Sequence, residues 1–92
     1  MFLHIGNGVT VRTREIVGIF DLDTASMSSD TRRFLREAEK TGRLKNAADD
    51  ELPRSFILSK EREKLPFTHL SLLSSAALKL RLLRALEDSE ES

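Results

Sequence analysis

Arg14-Glu15-Ile16-Val17-Gly18-Ile19-Phe20-Asp21-Leu22-Asp23-Thr24 is the stretch on which the fold turns. From Ile16 to Leu22 every position is apolar or glycine except Asp21. At a period of two, Ile16, Gly18, Phe20 and Leu22 fall on one face, and Val17 and Ile19 on the other. A strand apolar on both faces is expected at the centre of a sheet, or covered on its second face by another subunit.

Upstream, Phe2 to Ile5 and Val9 to Arg12 flank Gly6-Asn7-Gly8. Asn-Gly between β-prone residues predicts a hairpin, because both central positions of a type I′ turn need positive φ. Val9 and Val11 then point one way, and Thr10 and Arg12 the other.

Downstream, Ser26-Met27-Ser28-Ser29 offers N-caps, and Asp30 sits where a helix N-terminus favours negative charge. Thr31, Phe34, Leu35 and Ala38 recur at helical spacing, and Gly42 is a typical terminating residue, so a helix is predicted over 29–41. Arg43 to Ala47, Arg54 to Ser59 and Phe67 to Leu72 read as further strands, with turns at 49–53 and 60–64. Ser74 or Ser75 caps a last helix over about 75–86. The expected fold is a small α+β domain: an N-terminal hairpin, a mostly antiparallel sheet and two helices.

In that last helix Ala76, Leu80 and Leu83 form one face, and Leu78, Leu82 and Leu86 another. A domain this small covers only one of them. The second leucine face therefore predicts a homo-oligomer larger than a dimer, with Leu78, Leu82, Leu86 and Leu83 as interface residues.

Ninety-two residues make one domain, assigned to 1–86. Such a chain buries roughly 60–65% of its unfolded surface, and no cysteine is present to add a disulfide. Two histidines without cysteine exclude the usual structural zinc sites, and no cofactor motif occurs. Phe2-Leu3-His4-Ile5 is too short for a signal-peptide core, and no run approaches a membrane span, so a cytoplasmic protein without a membrane partner is expected. The formal net charge is zero, yet Glu87-Asp88-Ser89-Glu90-Glu91-Ser92 carries four acids and no base. Residues 1–86 hold 15 bases and 11 acids, a charge of +4, and 87–92 reads as a disordered acidic tail.

Asp21-Leu22-Asp23-Thr24 after an apolar strand resembles the nucleophile motif of haloacid-dehalogenase-type phosphatases, with Asp21 as nucleophile and Asp23 as acid/base. That fold needs parallel strands joined by crossover helices, roughly 30 residues per unit, whereas these aspartates follow a tight hairpin. The alternative role is capping of nearby backbone amides. The expectation is a protein that is not an enzyme. Arg12, Arg14, Arg32 and Arg54, with Arg33, Arg36, Arg43 and Lys45, instead suit the phosphates of duplex DNA.

Several blocks carry a family resemblance. They are Phe2-Leu3-His4-Ile5-Gly6, Val11-Arg12-Thr13-Arg14-Glu15-Ile16-Val17-Gly18-Ile19-Phe20-Asp21, Pro53-Arg54-Ser55-Phe56-Ile57-Leu58-Ser59 and Ser71-Leu72-Leu73-Ser74-Ser75 before a basic helix. The chain resembles the RemA/RemB-type extracellular-matrix (biofilm) regulators, closest to RemB. The resemblance implies a fold similar to LytTR-type DNA-binding domains, a ring-like oligomer and, for the RemA branch, activation of matrix genes through DNA. It links Arg14 to DNA binding and places Arg54 where a second basic loop enters its strand. In RemA-type chains that loop is richer in arginine, whereas here it holds Asp49-Asp50-Glu51. A scaffold or co-regulator that does not bind DNA is therefore the alternative.

Overall fold

The computed structural model describes residues 1–25 and 27–91, with side chains described as far as Glu87. The hairpin forms as expected from β1 (Phe2–Gly6) and β2 (Val9–Arg12). Asn7 (φ 51°) and Gly8 (φ 74°) both take the left-handed conformation that a type I′ turn requires. Leu3 pairs with Val11, and Leu3, Ile5 and Val11 are buried on one face.

A single 3-10 turn, Thr13–Glu15, leads into β3 (Ile16–Asp21), followed by the one-turn helix α1 (Leu22–Ala25), which sequence periodicity does not reveal. Then come α2 (Ser29–Lys40), β4 (Leu44–Asn46), β5 (Ser55–Ser59), β6 (Phe67–Ser71) and α3 (Ser75–Glu91). The second sheet has the order β3-β5-β6-β4. It is mixed: β3–β5 and β5–β6 are antiparallel, but β4 runs parallel to β6.

β3 departs from the expected central strand. It lies at the sheet edge, and its pairing skips from Ile16↔Ser59 to Gly18↔Leu58, so Val17 is bulged out and exposed. A bulge shifts the two-residue alternation by one position. Ile16 and Ile19, three apart, therefore both face the core, while Phe20 turns to the other side and stacks on Phe56 at a centroid distance of 4.9 Å. Gly18 lies under that ring, and a Cβ there would come within 2.7 Å of the Phe20 side chain.

The core gathers Leu3, Ile5, Val11, Ile19, Ala47, Ile57 and Leu78, with Val9, Ile16, Leu73 and Leu82 packed around it. The hairpin and α3 thus close over one face of the sheet. Three buried serines sit on this face. Ser71 donates to the Ile5 carbonyl, Ser55 donates to the Leu73 carbonyl at 2.7 Å, and the Ser59 hydroxyl lies 3.2 Å from His69 Nε2.

α2 begins at Ser28, whose hydroxyl accepts from the Thr31 amide, and ends where Gly42 takes φ 75°. Of its expected buried stripe only Ala38 is fully buried, and Phe34 remains exposed. Ser74 caps α3 by accepting from the Ala77 amide at 3.1 Å. The α3 backbone continues past the expected end at 86 to Glu91. Of the acidic stretch 87–92, the side chains from 88 onward lie outside the described residues.

Candidate nucleic-acid interface

Arg14 lies at the middle of the 3-10 turn, where backbone hydrogen bonds fix the chain on both sides. The Thr13 amide donates to the Met1 carbonyl at 3.1 Å, and the Lys60 amide donates to the Glu15 carbonyl at 2.8 Å. Arg12, at the end of β2, lies over the Phe2 ring at 5.8 Å from its centroid. Arg12 and Arg14 are both exposed and frame one shallow depression with Met1, Phe2 and Thr13. Among the described residues neither arginine is ion-paired.

Arg54 is held elsewhere. Its amide donates to Ser71 at 2.8 Å and its carbonyl accepts from Leu22 at 3.0 Å, which fixes the entrance to β5. Because β3 and β5 are antiparallel, Arg14 precedes one end of the pair and Arg54 the other. At about 3.3 Å per residue, β5 and its flanks separate them by roughly 20 Å. Arg32 lies exposed on α2, a third element. One chain therefore brings together Arg12 and Arg14 of the four expected arginines. Asp49, Asp50 and Glu51 are exposed in the loop that ends at Arg54, and Asp49 adopts a positive φ (59°).

Asp21 Oδ1 accepts from the amides of Asp23 (2.8 Å) and Thr24 (3.3 Å). The carboxylate thus caps α1, the alternative expected from sequence. Among the described residues no group of three or more histidine, cysteine, aspartate or glutamate side chains could hold a metal ion. No helix among them is long and apolar enough to cross a membrane.

The leucines of α3 divide differently from the expectation. Leu78 is 0% exposed within its own chain and packs against the hairpin core, so it has no surface to offer a second copy. Leu82 is half-buried against the same cluster. Leu83 and Leu86 remain exposed, together with Leu80. Periodicity identifies two apolar faces, and only packing decides which of them the chain covers.

A cleft absent from the sequence reading opens between β2 and the sheet, with a volume of about 480 Å³. Its lining includes Phe2, Thr10, Arg12, Lys45, Phe67 and His69. The parallel β4–β6 register sets Lys45 beside His69. His69 Nδ1 is buried without a partner among the described residues, and burial, then the nearby Lys45 charge, holds the imidazole pKa below its ordinary 6.5. The contact with Ser59 ties the His69 ring to β5, and the cleft depends on a parallel pairing that no local pattern encodes.

None of the curated proteins compared with the sequence matches it. A family model described as extracellular matrix regulatory protein A-like matches residues 2–82, from the start of the hairpin through most of the described side chains of α3. With the arginine-bearing turn, the serine-tied hairpin and the first half of α3 inside the matched span, the chain belongs to the RemA-like family of extracellular matrix regulatory proteins.

Proposed function

We propose that this protein regulates extracellular-matrix genes as a cytoplasmic oligomer larger than a dimer, of the RemB kind, by binding duplex DNA. Arg14 and Arg12 supply the principal phosphate contacts, and Arg54 and Arg32 add others. The observation that carries this reading is the Arg12–Arg14 pair: two exposed guanidinium groups without ion pairs, one of them on a turn pinned by backbone hydrogen bonds. An exposed guanidinium on a fixed backbone needs little reorganisation to meet a phosphate oxygen, and Arg presents a planar fork that matches it. One such pair binds weakly, and repetition around an oligomer multiplies it. The exposed Leu80, Leu83 and Leu86 supply an apolar face for that assembly. In this reading the protein is not an enzyme, because Asp21 and Asp23 belong to a helix start.

The test is fluorescence anisotropy on a mixed duplex pool at several salt concentrations, with the oligomeric state measured for each variant. Arg14→Ala should lower affinity and reduce the salt slope by about one charge per contact removed. Deleting residues 87–92 removes four acids per subunit and should strengthen binding. Binding that is absent at low salt from an intact oligomer would instead favour the scaffold reading, for which Asp49, Asp50 and Glu51 beside Arg54 are the supporting observation. Magnesium-dependent turnover of an aryl phosphate, abolished by Asp21→Asn, would restore the phosphatase reading.

A further inference from the structure

The cleft between the hairpin and the sheet is built from separate elements and leaves apolar and charged groups unpartnered. Phe2 is 51% exposed and Leu65 65% exposed at its mouth, and the Phe67 ring stands 4.9 Å from that of His69 within it. Exposed apolar side chains facing one concavity lose unfavourable hydration when an apolar body fills it. The lining carries three cations, Arg12, Lys45 and Lys64, against two acids, Glu15 and Glu61. Lys64 is engaged with Glu61 at 2.5 Å, whereas the Lys45 side chain has no ion pair or hydrogen bond among the described residues. A volume of about 480 Å³ lies within the usual range for small-molecule sites.

We propose that this cleft binds a small organic anion that carries a planar aromatic ring, a class to which the nucleoside monophosphates belong. The anion sits against Lys45 and Arg12, and the ring lies among Phe2, Leu65 and Phe67. Arg12 is braced over the Phe2 ring, so one residue pair supplies both a charge and a wall. Lys45 lies across the cleft on β4, and the His69 ring beside it forms part of the cleft wall. The proposal does not depend on DNA binding. The two readings share only Arg12, which borders both the cleft and the Arg14 surface.

The experiment is an amide-resolved NMR titration of the full chain with adenosine 5′-monophosphate, adenosine, inorganic phosphate and a short duplex, each in a separate arm. The nucleotide should give saturable shifts at Thr10, Lys45 and His69, and should bind more tightly than adenosine or phosphate. Lys45→Ala, at an exposed position, should weaken nucleotide binding about tenfold and leave the adenosine arm unchanged, the size expected for one charge-assisted hydrogen bond. Inorganic phosphate binding as tightly as the nucleotide would overturn the role given to the aromatic walls. Shifts at these residues with duplex alone, shifts with none of the probes, or concentration-dependent shifts without ligand would overturn the proposal. The last result would assign the cleft to a second copy of the chain.

Discussion

Ser71 on β6 donates its hydroxyl to the Ile5 carbonyl of β1 at 2.6 Å, a buried bond between residues 66 positions apart. The same oxygen accepts from the Leu73 amide at 3.1 Å. The hairpin belongs to a separate two-stranded sheet, so polar ties of this kind supplement apolar packing in holding it to the larger sheet. A second tie runs from Asn7 Nδ2 to the Ala47 carbonyl, and a third from Arg81 to the His4 carbonyl.

Ser71→Ala leaves the buried Ile5 carbonyl without that partner, and should destabilise the fold by about 1–3 kcal/mol. Urea denaturation gives the value, and amide exchange should quicken first in residues 2–12. An unchanged midpoint with unchanged hairpin exchange would show that packing alone holds the hairpin.

Gly18→Ala forces the Phe20 ring to move, because the new methyl would lie within 2.7 Å of it. The expected cost is about 1–3 kcal/mol, as for other overpacked sites. The double variant Gly18→Ala/Phe20→Ala should cost less than the two single changes added together, since Phe20→Ala removes the ring that the new methyl would strike. Strict additivity in thermal or chemical denaturation would refute the coupling.

The hairpin turn, both ends of α2 and the start of α3 were legible in the sequence, whereas α3 runs past its expected end at 86. In each case the determinant is local: Asn7-Gly8 at positive φ, the Ser28 and Ser74 caps, and Gly42 past the last turn of α2. The phase of β3 was not legible, because the bulge at Val17 is set by pairing with β5 rather than by its own residues. Nor was the parallel pairing of β4 with β6, which joins segments more than twenty positions apart. In the candidate site, the arginines could be named from the sequence but not grouped: Arg12 ends β2 and Arg14 lies two residues on in the 3-10 turn. The separation of Arg14 from Arg54 requires the antiparallel β3–β5 register, and the cleft requires the whole assembled sheet.

On α3 two substitutions should behave in opposite ways. Leu78→Ala empties a fully buried core position and should cost about 2–5 kcal/mol of stability. Leu80→Asp/Leu83→Asp alters only exposed positions, and should leave the fold intact while reducing the assembled mass. Light scattering coupled to size-exclusion chromatography reads the mass, and circular dichroism reads the fold. An unchanged mass for the double variant would remove this helix face from the proposed interface.

Stability should also fall on mild acidification. The folded pKa of His69 is depressed, chiefly by burial, so between that value and the ordinary 6.5 the unfolded chain binds more protons than the native one. The stability conferred by the neutral imidazole is therefore fully present above about pH 6.5 and declines as pH falls through the window below it. His69→Gln keeps a polar side chain without titration and should flatten that part of the profile. Denaturation midpoints from pH 5 to pH 8 test this, and identical slopes for the two proteins would dismiss His69 as the source.

The antiparallel pairing of β3 with β5 has a last consequence. With Arg14 and Arg54 held at opposite ends of a five-residue strand, the pair measures length. A rod-like polyanion must extend about six base pairs, at roughly 3.4 Å of rise each, before it can reach both arginines of one subunit. In the proposed DNA complex shorter oligonucleotides would reach either arginine but not both, so apparent affinity should rise in a step with fragment length.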